Sequence, residues 1–262
     1  MIFYFLLIMG TVFVLVFNVT RAHGASPGAL LWKILASLMF VMLALYAMAR
    51  GGSAANLEFK CFIVVGLVMG LLGDIVLDLR LIYREHDSIY LYSGFGFFLV
   101  GHLFFIAAYM GRIFPGCQVL SAVNVALLLV VSVLVALVMA LGEKLLGVQY
   151  GAFKPVVFMY AAVLTFFMAI AVAYRLGMGN ESASIPGPLL SLGNIVGLSL
   201  DSAESATGFT MIAVGSVFFL ISDFILCGTY FGKGKEGPVY IVSNHVTYYI
   251  AQYLIASALL FI

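Results

Sequence analysis

Eight apolar stretches, separated by seven polar breaks, run through the chain. This pattern constrains the fold more than any motif, because a helix needs about 20 mostly apolar residues to cross a bilayer. The stretches are 2–18, 28–49, 59–79, 91–111, 119–141, 154–174, 207–231 and 239–262. Arg21-Ala22-His23-Gly24, Arg50-Gly51-Gly52-Ser53, Arg80 to Asp87, Arg112 to Gly116, Gly142-Glu143-Lys144, 180–206 and 232–237 separate them. Strands of a membrane β-barrel would alternate over about ten residues, and no such alternation is present. The expected fold is all-α, a polytopic membrane helical bundle of about eight transmembrane helices. The first stretch lacks a charged leading region and reads as a retained helix.

Composition excludes the other classes. Hydrophobic residues make up 65% of the chain and charged residues 9%, against about half and roughly a quarter in a soluble domain. Such a chain lacks the polar surface to cover itself in water, and it is far too apolar for disorder. Twelve Lys and Arg balance eleven Asp and Glu, which leaves no positive footprint for nucleic acid. Cys61, Cys117 and Cys227 are widely separated and form no CxxC. No disulfide framework or zinc finger is expected. Breaks one, three, five and seven, with the adjoining helix ends, hold Arg21, Lys33, Arg80, Arg84, Lys144, Lys154, Lys233 and Lys235. The other side holds Arg50, Lys60, Arg112 and Arg175. By the positive-inside rule the first group is cytoplasmic and both termini are not. The expected location is the plasma membrane of a prokaryotic cell.

Two segments echo each other. Val65-Gly66 through Gly73-Asp74 to Leu77 aligns with Val214-Gly215 through Ser222-Asp223 to Leu226, and each next span carries a His, His102 or His245. A duplicated four-helix unit, with halves 1–116 and 117–262, would account for this. An even number of crossings makes the repeats parallel.

Ionisable residues inside hydrocarbon are costly and ask for a function. Asp74 and Asp223 are the foremost. Asp78 lies one turn after Asp74 on the same face, nearer the predicted interface. Traced through the membrane, Asp74, Asp223, His245, Lys154 and Tyr160 fall in one half of the bilayer, so spans three, six, seven and eight can share a polar pocket. Two carboxylates in a cleft of low polarity suit acid–base hydrolysis, one acting as acid and the other as base. His102 and His245 are candidates for proton transfer or interhelical hydrogen bonding. Tyr248, Tyr249 and Gln252 lie close to His245 along the last span. Ser222 has no GxSxG around it and reads as a small packing residue beside the pocket. Arg80, Arg84, Lys233 and Lys235 form a rim able to hold a lipid phosphate. No HExxH or His triplet is present, so no metal site is expected. Segment 180–206 reads as a solvated loop with a re-entrant turn, or as a lid.

These residues carry a resemblance. Gly73-Asp74-x-x-Leu77, Phe98-x-x-Gly101-His102-x-x-Phe105, Pro155-Val156-Val157-x-x-Tyr160, Gly215-x-x-Phe218-x-x-x-Ser222-Asp223-x-x-Leu226 and Thr247-Tyr248-Tyr249-x-Ala251-Gln252 occur in this order. The set resembles the YhhN-like lysoplasmalogenase family of integral membrane proteins. The resemblance implies hydrolysis of the vinyl ether bond of a lysoplasmalogen to a fatty aldehyde and a glycerophospho-choline or -ethanolamine, without a cofactor. It would give Asp74 and Asp223 the proton and water roles. His102, His245, Tyr160, Tyr248, Tyr249, Gln252, Asp78 and Ser222 would then line the substrate site. A multi-pass transporter or proton-coupled carrier built on the Asp/His pairs is the alternative. A metal-dependent hydrolase of the ceramidase type is disfavoured by the presence of only four histidines.

Overall fold

The computed structural model describes residues 1–51, 56–114, 120–178, 203–234 and 237–262. Among them the chain forms eight long helices and one short one. They are α1 (Ile2–Ala22), α2 (Pro27–Arg50), α3 (Leu57–Ile82), α4 (Asp87–Ile113), α5 (Ala122–Leu141), α6 (Glu143–Leu146), α7 (Lys154–Gly177), α8 (Ala203–Phe231) and α9 (Pro238–Ala258). The long helices coincide with the eight apolar stretches, and seven of them are long and apolar enough to cross a membrane. The exception is α9, which has the length, 21 residues, but carries Asn244, His245, Thr247, Tyr248, Tyr249 and Gln252. It packs against α1, α2, α3 and α8, and so turns its polar side chains into protein rather than lipid. The bundle is therefore helical and membrane-spanning in character. The lid reading of 180–206 falls almost wholly outside the described residues.

Local chemistry sets the helix ends. Ser26 accepts a hydrogen bond from the Ala29 amide at 3.1 Å and Pro27 follows at the first helical position, a start that needs no further amide donor. Ser121 caps α5 in the same way. Gly147 closes α6 at φ +66, in the left-handed region that glycine adopts without strain. The helices also run past the apolar stretches. α3 continues to Ile82, since charged residues can extend a helix beyond the hydrocarbon.

The two ends of the bundle are distinct. At one, Gln149 donates its amide to the Phe231 carbonyl at 2.8 Å, Tyr92 stacks on Phe153 with centroids 4.3 Å apart, and the Arg80 guanidinium covers the Tyr230 ring. At the other, Asn56 donates to the Ile262 carbonyl and accepts from Arg112. Arg21, at the end of α1, lines one cleft with Tyr230, so the described connections 23–26, 83–86 and 142–153 all belong to the first end, and consecutive long helices alternate in direction. α5 lies at the periphery and exposes Leu127, Val130, Leu134 and Val138, as a lipid-facing helix does. α3 and α4 pack closely: a side chain on Gly101 would meet the Gly66 carbonyl at 2.9 Å. Small residues at this crossing let the two backbones touch. Asn18 lies within α1, is buried and donates to the Val14 carbonyl at 2.9 Å.

A candidate active-site cleft lined from six helices

Asp74 and Asp223 line one cleft with Arg21, Lys33, Asp78 and His245. Its volume is about 60 Å³, enough for a few waters at roughly 10–15 Å³ each. α3 contributes Asp74 and Asp78, α8 contributes Ser222 and Asp223, and α9 contributes His245 and Tyr248. Two of the lining cations come from helices that the sequence pattern did not assign to the site: Arg21 from the end of α1 and Lys33 from α2.

Lys33 organises the acidic side. Its ammonium is 2.9 Å from Asp78 Oδ1 and 3.5 Å from Asp74 Oδ1, and all three side chains are buried. Sequence alone placed Asp78 near the interface and Lys33 among the cytoplasmic anchors. The structure adds their partnership: α3 extends to Ile82 and α2 begins at Pro27, and both side chains are buried within the bundle. Asp74 is eight residues from the end of its helix, about 12 Å along the axis. Ion pairing is the usual way for charges to persist in hydrocarbon.

Asp74 is further held by hydroxyls. Ser37 donates to its Oδ2 at 2.6 Å and Tyr248 to the same oxygen at 2.7 Å. The Tyr249 hydroxyl lies 3.0 Å from Ser37 Oγ and donates to the Lys33 carbonyl at 3.3 Å. Gln252 Nε2 donates to the Tyr248 hydroxyl at 2.9 Å. Lys33 and Ser37 are four apart on α2 and share one face, as do Tyr248 and Gln252 on α9. The Asp74 carboxylate thus sits in a network drawn from α2, α3 and α9.

Asp223 has a simpler setting. Tyr160 of α7 donates its hydroxyl to Asp223 Oδ2, and no cation pairs with the carboxyl among the described residues. Asp223 also lines a second, apolar crevice with Phe95, Val157, Tyr160, Ala161, Leu164 and Phe224. Phe224 is 54% exposed on the apolar flank of the bundle. One carboxyl therefore stands between a polar cleft and a hydrocarbon-lined one.

The remaining residues separate into two groups. Ser222 lines the cleft but is engaged with Asn244, donating to its carbonyl at 3.3 Å and accepting from its Nδ2 at 3.0 Å. His245 lines the cleft, is 8% exposed, and rests on Phe17 with ring centroids 4.6 Å apart. His102 does not reach the cleft. It bonds the Phe98 carbonyl through Nδ1 at 2.7 Å, and Phe105, Tyr160, Phe167 and Phe219 surround its ring. Tyr249 and Gln252 act behind the lining through their hydrogen bonds. Lys154 pairs with Glu143 at 3.0 Å and not with the cleft. Of the basic rim, Arg80 is engaged with Asp87 at 2.5 Å, Arg84 and Lys233 are exposed, and Lys235 lies outside the described residues. Among the described residues no group of three His, Cys, Asp or Glu is placed to hold a metal ion.

The order of these residues along α2 to α9 matches one family model, that of the YhhN family, over residues 28–259. The chain belongs to the YhhN family. The match includes α2, so Lys33 and Ser37 fall within the family's own span, whereas Arg21 precedes it. No curated protein and no solved structure matches the chain.

Proposed function

We propose that this YhhN-family protein is a membrane-embedded lysoplasmalogenase that hydrolyses a vinyl ether by carboxylate acid–base chemistry. The observation that carries this reading is the position of Asp223 on the shared wall of the polar cleft and the apolar crevice. A vinyl ether is the point where a polar glycerol headgroup becomes a hydrocarbon tail, and its cleavage begins with a proton delivered there.

The two carboxyls have unequal partners, and this supports unequal roles. Asp223 accepts from Tyr160 at Oδ2, leaving Oδ1 to carry a proton, and we assign it as the acid. Protonation of the alkenyl β-carbon leaves an oxocarbenium ion. Asp74 faces Lys33 and accepts two hydroxyls, and we assign it as the anion that stabilises this cation and takes a proton from the attacking water. The resulting hemiacetal collapses as Asp74 returns its proton to the glyceryl oxygen and the hemiacetal hydroxyl reprotonates Asp223. One water is consumed, one C–O bond is broken, and both carboxyls are restored.

The experiment is aldehyde release from a lysoplasmalogen by purified, detergent-solubilised protein, with Asp74→Asn and Asp223→Asn alongside. General acid–base groups contribute about 10²–10⁴-fold, so each folded variant should fall by at least about 10²-fold. An intact wild type that releases no aldehyde, across several headgroups and pH values, overturns the reading. Substrate counterflow in vesicles would then test the carrier alternative.

A further inference from the structure

The cleft contains a cation that the proposed chemistry does not use. Lys33 is divided between Asp74 and Asp78. Arg21 also lines the cleft, is partly buried, and has no carboxylate partner among the described residues. Phe17 and Arg21 are four apart on α1 and share a face. Phe17 is fully buried against the His245 ring, so Arg21 stands one turn nearer the open end of the cleft. Arg21, His245 and Tyr230 belong to the same lining. His245 itself is more than nine-tenths buried, and its Nδ1 has no hydrogen-bond partner. A buried ring nitrogen left unpaired asks for a ligand or a water.

We propose that Arg21 and His245 form an anion subsite that takes the phosphodiester of a single-chain phospholipid. The inference rests on the lysolipid reading of the cleft and adds where its headgroup is held. An arginine fork matches two phosphate oxygens at once, and the imidazole supplies a further polar contact. The subsite lies beyond Asp74 and Asp223 toward the open end, on the headgroup side of the bond to be cut. It replaces the outer basic rim, whose Arg80 is engaged by Asp87 and whose Arg84 and Lys233 are exposed away from the cleft lining.

The test uses ligands that cannot be hydrolysed. A saturated hexadecyl-ether glycerophosphocholine and the phosphate-free hexadecylglycerol are titrated against full-length protein in nanodiscs, with inorganic phosphate and glycerophosphocholine as competitors. Arg21→Gln should weaken the phospholipid at least about tenfold more than it weakens hexadecylglycerol, the worth of a charge-assisted hydrogen bond. Arg21→Lys, which keeps the charge without the fork, should fall between. His245→Phe should shift the same difference in the same direction. Equal weakening of both ligands by Arg21→Gln overturns the subsite, as does a larger selective loss in Arg84→Gln or Lys233→Gln. Competition by inorganic phosphate as strong as that by glycerophosphocholine overturns the lipid source. Because no bond is broken, a wild type that shows this binding pattern but releases no aldehyde would sink the hydrolase and leave the subsite standing. Aldehyde release without phosphate selectivity at Arg21 would do the reverse.

Discussion

The Lys33 ammonium lies 2.9 Å from Asp78 Oδ1, with both side chains buried inside the bundle. The pair joins α2 to α3, and the same ammonium reaches Asp74 at 3.5 Å. One cation thus stands between two carboxylates. Removing it leaves like charges one helical turn apart.

Lys33→Met should therefore destabilise the protein by about 3 kcal/mol, the usual cost of breaking a buried ion pair. Adding Asp78→Asn to that variant should recover part of the loss, because the uncompensated charge goes with it. Unfolding of monodisperse protein in detergent checks both. A single variant as stable as wild type, or a double variant less stable than Lys33→Met, would contradict the arrangement.

Tyr160→Phe isolates the Asp223 contact. The ring still packs edge-on against Phe95, 5.3 Å between centroids, but the hydroxyl that Asp223 accepts is gone. Aldehyde-forming turnover should fall about tenfold, as expected for one charge-assisted hydrogen bond, with little change in melting temperature. The informative comparison is kcat against stability. A fall in melting temperature with kcat intact would make Tyr160 a packing residue only.

Glu143 supplies a pH dependence outside the membrane-spanning helices. The Tyr150 amide, 2.9 Å from its Oε1, and then the Lys154 ammonium hold its carboxyl below the ordinary value of 4.5. A carboxyl depressed on folding binds fewer protons in the native state, so its contribution is complete above the ordinary carboxylate range. It is lost as pH falls through the lower folded value. Melting curves of wild type and Glu143→Gln should converge as the pH is lowered through and below the ordinary value of 4.5, with the wild type losing more. Parallel curves would mean that the α5–α7 connection gains nothing from this carboxylate.

Much of this architecture was legible in one dimension. Apolar length found the long helices, and the cost of charge in hydrocarbon singled out Asp74 and Asp223 before their helices could be placed together. What length could not supply was partnership. Lys33 and Asp78 are separated by 45 residues, and each near a helix end looks like an ordinary interfacial anchor until the helices are packed. Apolar length also shortens α3, which runs on to Ile82 past the end of its apolar stretch. α9 shows the opposite bias: its hydropathy is lowered by the residues that face the other helices. Of the histidines that follow the echoed segments, only His245 traced to the half of the bilayer that holds the aspartates, and it lines the cleft while aromatic rings enclose His102. Sequence offset between two helices does not fix the height at which their residues meet.

The double exposure of Asp223, to a polar cleft and to an apolar crevice, has a bearing on traffic. In the proposed reaction the two fragments differ sharply in solubility. A long-chain aldehyde partitions into the leaflet, and a glycerophosphodiester into water. With the severed bond at the boundary of the two openings, each fragment already lies at the mouth of the phase that will dissolve it. Neither has to pass the other to leave, and the separation of phases itself discourages the fragments from recombining.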